Sequence, residues 1–118
     1  MIENASLANQ KCRPCQGAQK PFAEAEIKRY LSQVSGWNLS QDLKGIWREH
    51  VMKDFFSAVK LIQDIAQVAE AEDHHPDLHL TGYRKLKVEL STHAVGGLSE
   101  NDFILAAKID QLPKALKK

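Results

Sequence analysis

The sequence predicts an α+β fold, a four-stranded antiparallel sheet with three α-helices packed on one face, in the order helix-strand-strand-helix-strand-strand-helix. Three observations carry this expectation. Phe55, Ala58, Val59, Ile62, Ile65, Ala66 and Ala69 form one apolar stripe at helical spacing in the middle of the chain. Leu86, Val88, Leu90 and Thr92 alternate with Lys85, Lys87, Glu89, Ser91 and His93, the two-residue period of a half-buried strand. The links between elements are short, which favours antiparallel neighbours.

The elements follow in order. Residues 1–20 are polar, keep no sustained period and contain Pro14 and Gly17, so they read as a mobile or loosely docked N-terminal arm ahead of a single domain over 21–118. Pro21 suits a first helical turn, and Ile27, Tyr30, Leu31 and Val34 then recur at helical spacing until Ser35-Gly36. Glu24 and Glu26 sit near the positive end of that helix dipole. Trp37-Asn38-Leu39 and the run Ile46 to Met52 flank a turn-like Ser40 to Gly45, a hairpin. Asp54 can cap the long helix that continues to Glu72. Pro76 cannot extend it, so His75 falls at a helix-to-strand junction before the short strand Leu78 to Thr81. The alternating strand after Gly82 turns His93 away from its Leu/Val face. Gly96-Gly97 breaks the strand, and Ser99-Glu100-Asn101-Asp102 has the form of a capping box, with Asp for the usual Glu, opening a last helix through Leu112.

Composition narrows the function. A chain of 118 residues fits one domain, and a formal charge of +1 provides no long-range field for nucleic acid or an anionic membrane. The apolar run Phe103 to Ala107 is far too short to span a bilayer, and the polar start shows no apolar signal segment, so cytoplasmic residence is expected. Cys12-Arg13-Pro14-Cys15 has the spacing of half a zinc site or a redox dithiol, without a second pair or an evident helix directly after it. The inert reading is favoured.

The chemistry-bearing groups gather between Glu70 and Asp102, which holds four of the five histidines. Imidazole titrates near pH ~6.5 and can both give and take protons in the cell. Glu70 and His74, four residues apart, share a helix face if the helix persists that far. A carboxylate there orients the ring for general acid or base work, or makes a surface ion pair at a frayed helix end; both readings fit. His75 follows directly and His93 comes from a strand end, so three rings from separate elements can converge on one pocket. No His-Glu-x-x-His helix or cysteine quartet occurs, which argues against a metal. His50 and His79 read as strand residues facing solvent or an interface. Trp37 and Trp47 suit either stacking on a flat heterocycle or the core.

Together these residues resemble the pterin-4a-carbinolamine dehydratase family. The likeness rests on Glu70, His74-His75-Pro76, Tyr83, His93 and Asp102 at matching spacing, and continues through Ser35-Gly36-Trp37, Lys53-Asp54-Phe55 and Gly97-Leu98-Ser99-Glu100-Asn101-Asp102. It implies loss of water from a 4a-hydroxytetrahydropterin, giving the quinonoid dihydropterin of pterin recycling, with no metal or organic cofactor, in a homodimer or homotetramer. By position, His74, His75 and His93 would surround the 4a-hydroxyl, with Glu70 orienting His74. Trp37, Asp73 and Asp102 would lie at the substrate. The sequence departs from some members at Asn101, where they carry a basic residue. The cysteine arm resembles an extension of some bacterial and plastid relatives and is missing from animal ones.

The same resemblance supports an alternative, an assembly factor for ribulose-bisphosphate carboxylase that binds the carboxylase large subunit in a carboxysome or plastid. A third role, as a dimerisation cofactor for a transcription factor, has no partner signature in the sequence. The intact histidine set favours the enzyme.

Overall fold

A computed structural model describes residues 7–12 and 20–117. Its sheet has the order β1-β2-β4-β3, all neighbours antiparallel, from β1 (Asn38–Leu39), β2 (Ile46–Val51), β3 (Asp77–Thr81) and β4 (Lys85–Leu90). The alternation of β4 sets its two faces. Leu86, Val88 and Leu90 are buried against the helices, and Leu78 and Leu80 of β3 pack beside them. The other face is polar: His79 meets Glu89 at 2.8 Å, and the Lys87 ammonium lies 4.8 Å from the centre of the Trp47 ring. The His79 hydrogen bond holds the Glu89 carboxyl below its ordinary range.

Because β1 spans two residues, it leaves the far end of the β2 edge uncovered, and the C-terminal tail takes its place. Lys53 N–H donates to the Ala115 carbonyl and Lys117 N–H to that of Val51. His50 is buried on the inner face of β2, not exposed as its sequence position suggests, and its Nε2 has no hydrogen-bond partner among the described residues. Alternation along β2 places it on the same face as Ile46. Burial, together with the Arg48 and Lys114 charges, pushes its pKa down to about 4, so it is a neutral core ring at physiological pH.

Helix α1 (Glu24–Leu31) is shorter than its apolar period, with Val34 carried into the core by the turn that follows. Helix α2 (Phe55–Glu72) starts where expected: the Asp54 carboxylate accepts the Ser57 N–H at 2.7 Å, which keeps its pKa low. The buried line of α2, however, is Ala58, Leu61, Ile65 and Ala69. Phe55 is 55% exposed and Phe56 81%, so the apolar residues read as one stripe divide between the core and a second, open face. Helix α3 (Glu100–Asp110) is buried from Asn101 to Ala107 and ends before Leu112. Lys114 folds back to donate to the carbonyls of Ile109, Asp110 and Leu112, replacing the hydrogen bonds that another turn would have made.

Of the two states expected for the N-terminal arm, mobile or docked, the described part is docked. Leu7 and Ala8 belong to the core cluster, and Lys108 of α3 donates to the Ala8 carbonyl at 2.6 Å. Burying a leucine contributes about 2 kcal/mol, enough to hold a short segment whose backbone is also anchored. Pro14, Cys15 and Gly17 lie outside the described residues.

Candidate active site

Helix α2 ends on Asp73, whose φ of 53° is left-handed. Aspartate tolerates this conformation better than most side chains, and the turn lets the His74 N–H reach back to the Ala69 carbonyl at 3.2 Å. Pro76 prevents any continuation. The two consecutive histidines therefore leave the helix end in different directions. The His74 side chain is 11% exposed and the His75 side chain 54%.

Their partners differ from the sequence expectation. Glu70 does not orient His74; its Oε2 lies 2.6 Å from Nε2 of His75. The left-handed turn at Asp73 breaks the helical register, so the residue five positions on, rather than four, meets the glutamate. His74 turns inward and places Nε2 2.7 Å from Oδ1 of Asp102.

Asp102 is fully buried and gathers three elements. Besides His74 from the α2–β3 junction, its Oδ2 accepts Thr92 Oγ1–H at 2.7 Å and the Ser99 backbone N–H at 3.0 Å. The last bond is half of the capping box that opens α3. Asp102 therefore lies beneath the pocket and supports His74, rather than lining the space a substrate would fill. A carboxylate that accepts this bond fixes the tautomer of His74, with Nε2 as the donor.

Thr92 also brings in the third histidine. After β4 the chain forms a short 3₁₀ turn, His93–Val95, closed by the Thr92 N–H donating to the Gly97 carbonyl at 2.7 Å. Gly96 ends that turn at φ 74°, a conformation that favours glycine. At Gly97 a Cβ would stand 2.9 Å from that of Pro21, so α3 and the start of α1 can approach only over a bare backbone. His93 is thus held at a fixed place beside Thr92, on an exposed turn rather than on the strand itself.

His74, His75, His93 and Asp73 line one cleft of about 590 Å³, with Thr92, Asn101, Lys11 and Cys12 also in its wall. Glu70 is outside the wall, exposed and bonded to His75. Trp37 is likewise absent from it: the indole is buried in the core and its N–H donates to both carboxylate oxygens of Asp110, at 3.0 and 3.1 Å. Asp110 also pairs with Arg48 at 3.1 Å. Cys12 is held by its backbone, whose N–H donates to Glu72 Oε1 at 2.8 Å. Burial, and secondarily the Glu72 charge, pushes the Cys12 thiol up to about 12, so it stays protonated and a poor nucleophile. Among the described residues, no group of three or more His, Cys, Asp or Glu side chains is placed to hold a metal ion.

The sequence reading missed Thr92, Glu72 and Lys108. Thr92 was visible only as an inward strand residue; its neighbour His93 and the Ser99-to-Asp102 box were the available signals. Nothing local marked the contact between Lys108 and the arm, which are 100 residues apart.

The fold and this cleft define a small α+β protein in which a buried aspartate holds one cleft histidine beside two further imidazoles. The chain belongs to the pterin 4 alpha carbinolamine dehydratase family, whose profile matches residues 20–112. A Nitrosospira multiformis protein assigned by name to the same dehydratase is 45% identical over 106 residues, 90% of this chain and 91% of its own length. The mitochondrial pterin-4-alpha-carbinolamine dehydratase 2 of Arabidopsis thaliana is 44% identical over 92% of this chain, which spans 59% of that longer protein. A Brucella melitensis protein described as a transcriptional coactivator/pterin dehydratase superposes with a TM-score of 0.72 at 31% identity, covering 77% of this chain and 96% of its own. No helix among the described residues is long and apolar enough to cross a membrane.

Proposed function

We infer that this protein dehydrates 4a-hydroxytetrahydropterins to quinonoid dihydropterins, as a step in pterin recycling. The observation that carries the reading is the convergence of His74, His75 and His93 on one open cleft, with His74 fixed by buried Asp102. The reaction needs an acid and a base but no electron carrier. The C4a–O bond breaks and the departing hydroxyl takes a proton to leave as water. N5 gives up its proton, and that N–H electron pair forms the C4a=N5 double bond. Two neighbouring imidazoles in opposite protonation states can serve both steps, and each positioned transfer is typically worth about 10²- to 10⁴-fold in rate. Asp102 acts through His74 by fixing its tautomer and direction. Glu70 supports His75 in the same manner from the surface.

The test is stopped-flow absorbance with a freshly generated 4a-hydroxytetrahydropterin. Dehydration well above the buffer-catalysed rate supports the assignment; a rate no faster than buffer removes it.

Self-association into a homodimer or homotetramer belongs to the same reading. The exposed Phe55 and Phe56, beside half-buried Val59 and Ile62, give α2 an apolar outer face suited to a second copy. Light scattering of Phe56→Glu should then show a smaller particle than the unaltered protein. An unchanged mass would place the interface elsewhere.

A further inference from the structure

We propose that the docked N-terminal segment 7–12 is a wall of the catalytic cleft and sets its affinity for the pterin, with Lys11 and Cys12 facing the bound substrate. This deepens the dehydratase reading and rests on it. Two sets of observations meet here. Lys11 and Cys12 line the same cleft as His74, His75 and His93. The segment that carries them is anchored at both ends: Leu7 and Ala8 sink into the core, Lys108 holds the Ala8 carbonyl, and Glu72 holds the Cys12 N–H. The Cys12 thiol also lies 3.6 Å from the Asn101 carbonyl.

The anchors join the arm to the active-site frame. Glu72 is the last residue of α2, two positions before His74, and its other oxygen lies 3.7 Å from Lys108. Asn101 immediately precedes Asp102. The arm therefore touches the residue two before His74, through the Glu72 carboxylate, and the residue before Asp102, through the Asn101 carbonyl, and adds Lys11 and Cys12 to the cleft wall. Among the described residues, Lys11 is also the one Lys or Arg in the cleft wall. Its ammonium suits the acceptor-rich edge of a pterin, a ring carrying a carbonyl and lone-pair nitrogens.

A wall contact should act on ground-state binding, whereas the proton transfers should be spared. Lys11→Ala is expected to raise KM about 3- to 10-fold with kcat within about twofold, and Lys11→Arg to restore most of the loss. Lys108→Met provides an independent variant. Lys108 lies outside the cleft wall and contacts the Ala8 carbonyl and Glu72, the two groups that anchor the arm, so a KM increase there is transmitted through those anchors. Fluorescence binding of a 7,8-dihydropterin gives a readout that needs no turnover, and thermal melts show that each variant is folded. Parallel increases in KM and dihydropterin Kd in both Lys variants support the proposal. Unchanged KM and Kd in a protein that does turn over would overturn it alone. An unaltered protein that neither turns over nor binds the dihydropterin would overturn the dehydratase reading, and this inference with it.

Discussion

His74 and His75 are adjacent in sequence and each meets one carboxylate, yet the two pairs differ in everything that gives such a contact energy. In the His74–Asp102 pair the carboxylate is fully buried, the imidazole is half-buried, and Thr92 and Ser99 also hold the carboxylate. The His75–Glu70 pair is at the surface, where water and salt screen it and two side chains must be ordered to form it. Removing one partner from the first leaves buried polar groups unsatisfied; removing one from the second leaves them hydrated. The comparison teaches that chain proximity to a histidine, the basis for giving Glu70 the orienting role, is a poorer guide than what the carboxylate itself is bonded to.

The largest expected effect follows from the His74–Asp102 pair. Asp102→Ala strands His74 Nε2 and takes an acceptor away from the Ser99 N–H and from Thr92 Oγ1, which keeps only its contact with the Ser99 hydroxyl at 2.8 Å. It should lower stability by about 2–4 kcal/mol in urea melts while also reducing activity at least about 100-fold. Retention of both would mean that the carboxylate is dispensable.

His50 sharpens the comparison because it is buried without any carboxylate. Its pKa is lowered to about 4 in the folded state against ~6.5 when unfolded, so its contribution is complete above pH ~6.5. Stability then falls as pH drops from about 6.5 towards 4, because the unfolded chain takes the proton first, and the loss levels off below pH 4. The loss should reach roughly 2–3 kcal/mol. His50→Leu, comparable in volume and apolar, should flatten that part of the pH–stability curve. An equally steep curve in the variant would assign acid lability to other groups.

The smallest effect belongs to the surface. Glu70→Gln should change melting stability by less than about 0.5 kcal/mol and activity by no more than a few-fold. Raising salt should have a similarly small influence.

Most of the fold was legible because its signals are local. Period-two alternation located β4, Asp54 and Ser99 marked helix starts, and Pro76 marked a helix end. The same local reading placed His74 and His75 at the end of α2, but carried β4 on to His93, which sits on the 3₁₀ turn after Leu90. What escaped it depends on side-chain direction and distant contacts. The left-handed Asp73 shifted the Glu70 partner by one residue, and Trp37 proved to be tied to Asp110 in the core. On α2 the apolar residues outnumber what one buried line can hold, so sequence period alone could not divide the core face from the outer one. Whether the arm docks stays open in the sequence because its polar composition hides the two residues, Leu7 and Ala8, that dock it.

The most direct measurement is kcat for Asp102→Asn and Glu70→Gln side by side, in the same stopped-flow dehydration assay. Asp102→Asn keeps the shape of the buried group but removes its acceptor-only charge, and it should lose at least about 100-fold, with Glu70→Gln staying within about threefold of the unaltered protein. Equal losses, or a larger loss at Glu70, would contradict the assignment of the buried aspartate as the support for the working histidine.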